Sequence, residues 1–365
     1  MTDEAVTPPA TAPGVLRPID PTHPDPALLR EAADHLRRGE LVAFPTETVY
    51  GLGAHALDAA AVRRIFAAKG RPAFNPLIVH VPDVATARTL VTTWPGVAEQ
   101  LATHWWPGPL TLVLPKRALV PDEVTAGRET VAIRIPAHPV ARALLAAVGL
   151  PIAAPSANRF TALSPVTGAQ VARSLGDRVA LILDGGRTPV GIESTVVDCT
   201  TTPPTLLRPG TITRAELEAV VGPLQDPVPV TEAEAPRAAP GMIARHYAPR
   251  ATVRLLDADA MAQAVVTGRR RGLDASAAGT RATTPGSAME NTLAAITWSE
   301  AGRAAASELH IHLHLEASPL AYAAELYAAL HAVDDAGGTT VLVEQVPSDP
   351  AWDGIRDRLA RAAHG

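Results

Sequence analysis

Four cations in the first 210 residues, Lys69, Arg71, Arg134 and Arg208, recur among side chains that donate or accept hydrogen bonds: Thr48, Asn75, His80, Thr130, Ser156, Asn158, Ser164 and Ser194. Few carboxylates accompany them. Such a set suits a polyanion, or a pair of ligands of which one carries a carboxylate. Its catalysis would be positioning plus charge neutralisation, without a protein nucleophile. The spacing aims two of the cations inward. Val62, Ile65, Phe66 and Lys69 sit at i, i+3, i+4 and i+7, so Lys69 ends an apolar helix stripe while Arg63 and Arg64 point elsewhere. In Thr130 to Pro136, alternate residues share a face, which sets Arg134 with Thr130 and Ala132 opposite Val131, Ile133 and Ile135. An arginine on an inner face needs an anion; the alternative is a solvated edge strand. Ser156-Ala157-Asn158 offers donors on a tight loop, or forms an ordinary Ser or Asx turn.

The elements that must hold these groups follow from pattern. Leu41 to Phe44 is a short apolar strand, and the stretch from Pro45 through Gly53 reads as a loop. Asp58 caps a helix from about Ala59 to Lys69, and Gly70 supplies its left-handed stop. A helix from about Pro26 to Arg38 precedes, and strands at Leu77 to Val81, Leu110 to Leu114, Pro151 to Pro155 and Val179 to Leu183 follow. Val84 to Leu101 reads as mostly helical. Val196 and Val197 lie in another strand, and Leu206 to Arg208 runs into Pro209-Gly210. Thr213 and Glu216 form a capping box for a helix ending at Gly222. Nearly all the candidate residues fall at strand ends or the loops after them, where α/β sheets bind ligands.

The chain divides into four parts: a Pro/Thr/Ala-rich tail expected to be disordered over 1–25, a first domain over 26–222, a Pro/Ala/Glu-rich linker over 223–249, and a second α/β unit over 250–365. The linker ends in Met242-Ile243-Ala244-Arg245-His246-Tyr247, richer in functional side chains than a spacer needs. In the second unit, strands alternate with helices, which implies a largely parallel sheet covered on both faces. Its strands are Thr252 to Leu256, Leu309 to Leu315 and Thr339 to Gln345, and its helices Leu320 to Ala332 and Trp352 to Ala363. Thr267 to Asn291 fits no element. His310, His312 and His314 share one strand face; without an acidic or cysteine partner they read as a solvated face rather than a metal site.

Composition narrows the function classes. The chain has 365 residues, is 47% hydrophobic and carries a net charge of −5, which argues against a general nucleic-acid binder. The single cysteine, Cys199, allows no intrachain disulfide and no multi-cysteine metal site. No apolar run approaches the roughly 18 residues of a membrane span, and the start does not read as a signal peptide, so a cytoplasmic setting is expected. A phosphate loop, a G-x-S-x-G elbow and an H-E-x-x-H motif are missing. Gly51-Leu52-Gly53 with Ala56 resembles the start of a dinucleotide fingerprint, but no acidic residue follows at the ribose-binding distance.

The strings PTETVYGLG, KGRPAFNPLIVH, TVAIRIP, APSAN, ESTVVD and LRPGTIT resemble the YrdC-type domain of threonylcarbamoyl-AMP synthases. PGMIARHYAP, with ELYAALHAVDDAG and IRDRLARAA near the end, resembles the longer, two-domain branch of that family. The pairs Lys69/Arg71 and Ser156/Asn158 are specific in combination. The resemblance implies an α/β fold: a YrdC-type twisted open mixed sheet with helices, then a smaller Rossmann-like α/β/α domain. It implies a nucleotidyltransferase that makes threonylcarbamoyl-AMP and pyrophosphate from L-threonine, bicarbonate or carbon dioxide, and ATP, for modification of an adenosine in tRNA by other proteins. By motif, threonine would be held by Thr48, His80, Arg134, Ser194 and the backbone around Ala154. ATP would be held by Arg71, Asn75, Thr130, Ser156, Asn158, Ser164, Arg208 and Tyr247, with Lys69 and Arg71 offsetting charge in the reaction. Magnesium would travel with ATP, with no protein metal cage. Ile243 and Ala244 stand where the family commonly has a lysine. The linker is expected to close over the nucleotide as a lid, and the second domain to support it or to dock a partner. Rival readings are an RNA-binding module, a carbamoyl-transfer maturation factor and a nucleotide sensor without turnover.

Overall fold

The computed structural model describes residues 15–228, 239, 246–277 and 292–364. The first domain is built on a ten-stranded mixed sheet. Its strands are β1 Val15–Pro18, β2 Val42–Pro45, β3 Tyr50–His55, β4 Ile78–His80, β5 Leu110–Pro115, β6 Thr130–Arg134, β7 Ile152–Ala153, β8 Leu181–Asp184, β9 Thr195–Asp198 and β10 Thr205–Arg208. Their order across the sheet is β1-β8-β2-β3-β7-β4-β6-β5-β9-β10. β4 and β6 are parallel, β6 and β5 antiparallel, β5 and β9 parallel, and β9 and β10 antiparallel. It follows that β4, β6 and β10 point the same way. Their last residues, His80, Arg134 and Arg208, therefore gather at one edge, together with Ser194, which immediately precedes β9.

Local chemistry explains the elements around that edge. Asp58 accepts a hydrogen bond from the Ala60 amide at the start of helix Ala59–Lys69, and Gly70 ends it at φ 63°. Val62, Ile65 and Lys69 are buried on the inner face. Thr213 and Glu216 form the expected capping box of helix Arg214–Val221. Val131 and Ile133 pack in the main core of the domain, whereas Ala132 belongs to a separate cluster with Ile78, Val113, Val196, Leu207 and the linker residue Ala239. The two faces of β6 are thus divided as the alternation requires.

Several expectations are corrected. Tyr50–His55, whose first residues read as loop, is a strand pairing with β2. Its glycines hid it, but Gly53 is needed there: a Cβ would stand 2.9 Å from the Phe44 ring and 3.1 Å from the Val42 carbonyl oxygen. Residues 15–18, assigned to a disordered tail, form an edge strand paired with β8, and Ile19 is buried; residues 1–14 lie outside the described residues. The segment from Val84 is two helices, Val84–Thr89 and Gly96–Trp105, because Pro95 starts the second as its N-cap.

The second domain is a parallel four-stranded sheet of β11 Thr252–Leu256, β12 Leu293–Thr297, β13 Ile311–His314 and β14 Thr340–Glu344, in the order β11-β14-β12-β13. β12 and the short helix Glu300–Ala306 were not foreseen, and part of the unplaced stretch belongs to helix Ala258–Ala277. Its core is continuous with the first domain. Tyr322, Leu326, Leu330 and Ile355 share one cluster with Val49, Leu163, Val166 and Ile192. Helix Pro319–Asp335 approaches so closely that a Cβ on Gly191 would lie 2.3 Å from the Ala323 carbonyl oxygen. Linker residues 229–238 and 240–245, with Ile243 and Ala244, lie outside the described residues.

Candidate active site

A cleft with about 50 Å³ of free volume opens where the strand ends meet. Thr48, His80, Arg134, Ala154 and Ser194 line it, and so do Arg71, Ser156, Arg208 and Tyr247. Behind this wall stand Lys69, Asn75, Asn158 and Ser164. The Lys69 ammonium donates to the carbonyls of Ser156 (2.6 Å) and Asn158 (2.5 Å), so it ties down the Ser-Ala-Asn loop. Asn158 Nδ2 donates to the carbonyls of Arg159 and Ala162, both at 2.8 Å. Thr130 does not line the cleft; it starts the strand that Arg134 ends and is half-buried.

Each arginine is held in place by carbonyls. Arg71 donates from Nε to Asn75 (3.0 Å) and from Nη2 to Pro76 (2.7 Å). Arg208 donates from Nε and Nη2 to the Ser194 carbonyl, at 3.1 and 2.9 Å. Arg134 donates from Nε to the Gly108 carbonyl (3.2 Å) and from Nη1 to Thr48 Oγ1 (2.9 Å). Its anion is in the protein: Glu47 Oε1 lies 2.7 Å from Nη2. That contact is close but misaligned, since neither atom makes a proper hydrogen bond. Both groups therefore keep unused bonding capacity, and Arg134 lines the cleft.

The cleft is surrounded by more buried cations than carboxylates. Lys69, Arg71, Arg134 and Arg208 are all buried, against the carboxylates Glu47 and Glu193. Burial lowers the pKa of Lys69 well below the usual lysine value, and Arg71 beside it adds to the effect. Burial and Arg134 push His80 down to about 3; burial, Arg71 and Lys69 also push His246 down. Both imidazoles are thus neutral near pH 7. Among the described residues, both polar atoms of the Asn75 side chain and the Nδ1 atoms of His80 and His246 are buried without a hydrogen-bond partner. Unsatisfied polar atoms are costly in an interior and are expected where a ligand completes them.

The linker residues His246 and Tyr247 form part of this wall. Tyr247 is 1% exposed and its backbone sits at φ 59°, a left-handed conformation disfavoured for a bulky residue. It is pinned on both sides: the His246 amide donates to the Arg361 carbonyl (3.4 Å) and the Ala248 amide to that of Thr161 (3.0 Å). Several lining or adjoining residues escaped the sequence reading as site members, among them Glu193, His246 and Arg358. Glu193 stands beside Ser194 and His246 beside Tyr247, so adjacency was the available signal. Arg358 of the second domain bonds Glu193 from within a helix whose other basic residues are half-buried, and nothing in the sequence marks it.

Comparison with known proteins agrees with this geometry. Residues 34–210 match the family described as "Telomere recombination", and residues 212–364 match "Threonylcarbamoyl-AMP synthase, C-terminal domain". The chain belongs to the threonylcarbamoyl-AMP synthase family. A Pyrococcus abyssi threonylcarbamoyl-AMP synthase is 51% identical over 226 residues, 62% of this chain and 66% of that protein. One from Bacillus subtilis is 49% identical over 230 residues, 63% of this chain and 66% of that protein. The matched stretches thus span slightly under two thirds of these relatives. The crystal structure of P. abyssi Sua5 complexed with L-threonine superposes with a TM-score of 0.84 at 36% identity, covering 96% of this chain and 97% of that one. The two family matches meet at residue 211, yet Leu217 of helix Arg214–Val221 packs in the main core of the first domain.

Proposed function

We propose that this chain makes threonylcarbamoyl-AMP and pyrophosphate from L-threonine, bicarbonate or carbon dioxide, and ATP. The observation that carries this reading is one cleft in which a buried arginine with hydroxyl neighbours adjoins two further buried arginines, with an unsatisfied asparagine behind them. Arg134, with Thr48, His80, Ala154 and Ser194, takes the amino acid. Its fork grips the carboxylate, which competes with the misaligned Glu47. The related P. abyssi protein has been crystallised with L-threonine, which supports the same assignment here. Arg71, Asn75, Ser156, Asn158, Ser164, Arg208 and Tyr247 take the nucleotide, with Thr130 further along the same strand face.

The chemistry needs no protein nucleophile. The threonine amine attacks carbon dioxide, taken up as such or formed from bicarbonate by protonation and loss of water; an N–C bond forms, one C=O bond opens onto oxygen, and a proton leaves nitrogen. A carbamate oxygen then attacks the α-phosphorus, the bond to the β-phosphate breaks, and pyrophosphate leaves with the electron pair. Arg71 and Arg208 face the charge that develops on the phosphates, and their carbonyl tethers hold them there before reaction. Lys69 keeps the Ser156–Asn158 loop in position and adds to the local positive field. Magnesium would enter on the nucleotide, because the Glu193 carboxylate in the cleft wall is already bonded to Ser164, Tyr327 and Arg358. Tyr247 lines the cleft from the linker, consistent with a lid over the nucleotide. Transfer to tRNA would fall to other proteins.

Release of pyrophosphate by the purified protein tests the assignment. Release that requires ATP, threonine and bicarbonate together is expected. Release indifferent to threonine, or no release, would contradict it.

A further inference from the structure

The second domain places one fully buried guanidinium against the cleft. Arg358, on helix Asp353–Ala362, has no exposed side-chain surface. Its Nε donates to Glu193 Oε2 (2.8 Å) and its Nη2 to the Glu193 carbonyl (3.1 Å). Its Nη1 donates to the Pro209 carbonyl (2.9 Å). Glu193 and Pro209 are the chain neighbours of Ser194 and Arg208, both of which line the cleft. The guanidinium carbon also lies 5.3 Å from the centroid of the Tyr247 ring. One side chain thus grips the neighbours of two cleft residues and underlies a third.

From this geometry we infer that Arg358 is a positioning residue of the active site, and that the second domain is part of the site rather than an appendage. The inference rests on the synthase reading above. Two features support a built device. Glu193 is bonded on both oxygens, by Ser164 to Oε1 (2.5 Å) and by Tyr327 to Oε2 (3.0 Å), so Arg358 meets a fixed carboxylate. Gly354 lets the helix approach: a Cβ there would stand 2.5 Å from the Gly210 carbonyl oxygen. Arg358 partly offsets the charge of Glu193, which also acts on Arg208, while Arg208 keeps its tether to the Ser194 carbonyl. A lysine cannot span the acceptors on both first-domain segments while keeping Asp357 Oδ2 (2.9 Å), because the fork is what reaches them.

Steady-state pyrophosphate release by Arg358→Lys and Arg358→Met variants tests this, with Arg187→Ala as a control that removes the exposed interdomain pair Arg187–Glu325. Both Arg358 variants should raise KM for ATP by about tenfold or more, and Arg187→Ala should leave it unchanged. A purely structural role would lower the active fraction, hence kcat, at constant KM; that result overturns the inference, as does full rescue by lysine. If Arg358→Met does not fold, Tyr327→Phe removes one bond to Glu193 and should raise KM for ATP about threefold; no change overturns the inference. If the wild-type chain shows no threonine-dependent release, the synthase reading fails first. Calorimetric ATP affinity of wild type and Arg358→Lys then still decides, and equal affinities overturn the positioning role.

Discussion

Both sheets of this molecule collect polar side chains at strand ends, but the two collections differ in kind. In the second domain the groups satisfy one another. Glu344, at the end of β14, accepts from the amides of Trp298 (2.9 Å) and Ser299 (3.1 Å) and from the Ser299 hydroxyl. Thr297 Oγ1 meets His312 Nε2 and His314 Nδ1, each at 2.9 Å. Tyr322, whose hydroxyl is buried without a partner, is the exception among the described residues of that domain. In the first domain the groups are mostly cationic, carry unsatisfied atoms and border a cleft. Position at a strand end is therefore a weak indicator of a site. Unbalanced charge and unpaired buried atoms are stronger ones, since a structural cluster has no reason to bear their cost.

The largest expected effect breaks the first cluster. Arg208→Met should lower kcat/KM for ATP by about 100- to 1000-fold in the pyrophosphate assay, with the melting temperature less affected. The matched change in the second cluster should do the reverse. Glu344→Gln should cost about 1–3 kcal/mol in urea unfolding and leave KM for both substrates within about twofold. If Glu344→Gln impaired turnover as Arg208→Met does, the contrast between the regions would collapse.

A pH titration separates the clusters further. His80 and His246 have pKa values depressed by burial and nearby cations, so they contribute stability that is present above the unfolded value of about 6.5 and lost as pH falls. Unfolding free energy should therefore drop below about pH 6.5, by up to about 1.4 kcal/mol per pH unit for each group. His80→Gln should flatten that slope. His312→Ala, on the half-exposed cluster, is the smallest expected effect: a change of about 0.5 kcal/mol or less with the acid slope retained.

The first cluster was legible from sequence because its chemistry is periodic. The helical spacing of Lys69 and the strand alternation of Arg134 both hold in the structure. Pattern and motif also carried the α/β fold class, the family and the parallel sheet of the second domain. Other features depended on contacts between distant segments. Strand β3 was hidden by Gly51 and Gly53, which disfavour strands except where a neighbouring ring demands their smallness. Arg134 was expected to meet an anion or to lie in water on an edge strand, and no local pattern marks Glu47 as its neighbour. Arg358 reads as one more basic residue of an amphipathic helix, because its first-domain acceptors, Glu193 and Pro209, lie more than a hundred residues away in the chain.

The most direct test of the central claim follows the carbon atom. The protein is incubated with ATP, L-threonine and isotopically labelled bicarbonate, and the quenched products are analysed by mass spectrometry. The account predicts threonylcarbamoyl-AMP with the label in its carbamate carbonyl, formed in step with pyrophosphate and lost in Arg134→Met. Pyrophosphate released without any labelled adenylate, or an adenylate formed when threonine is omitted, would contradict it.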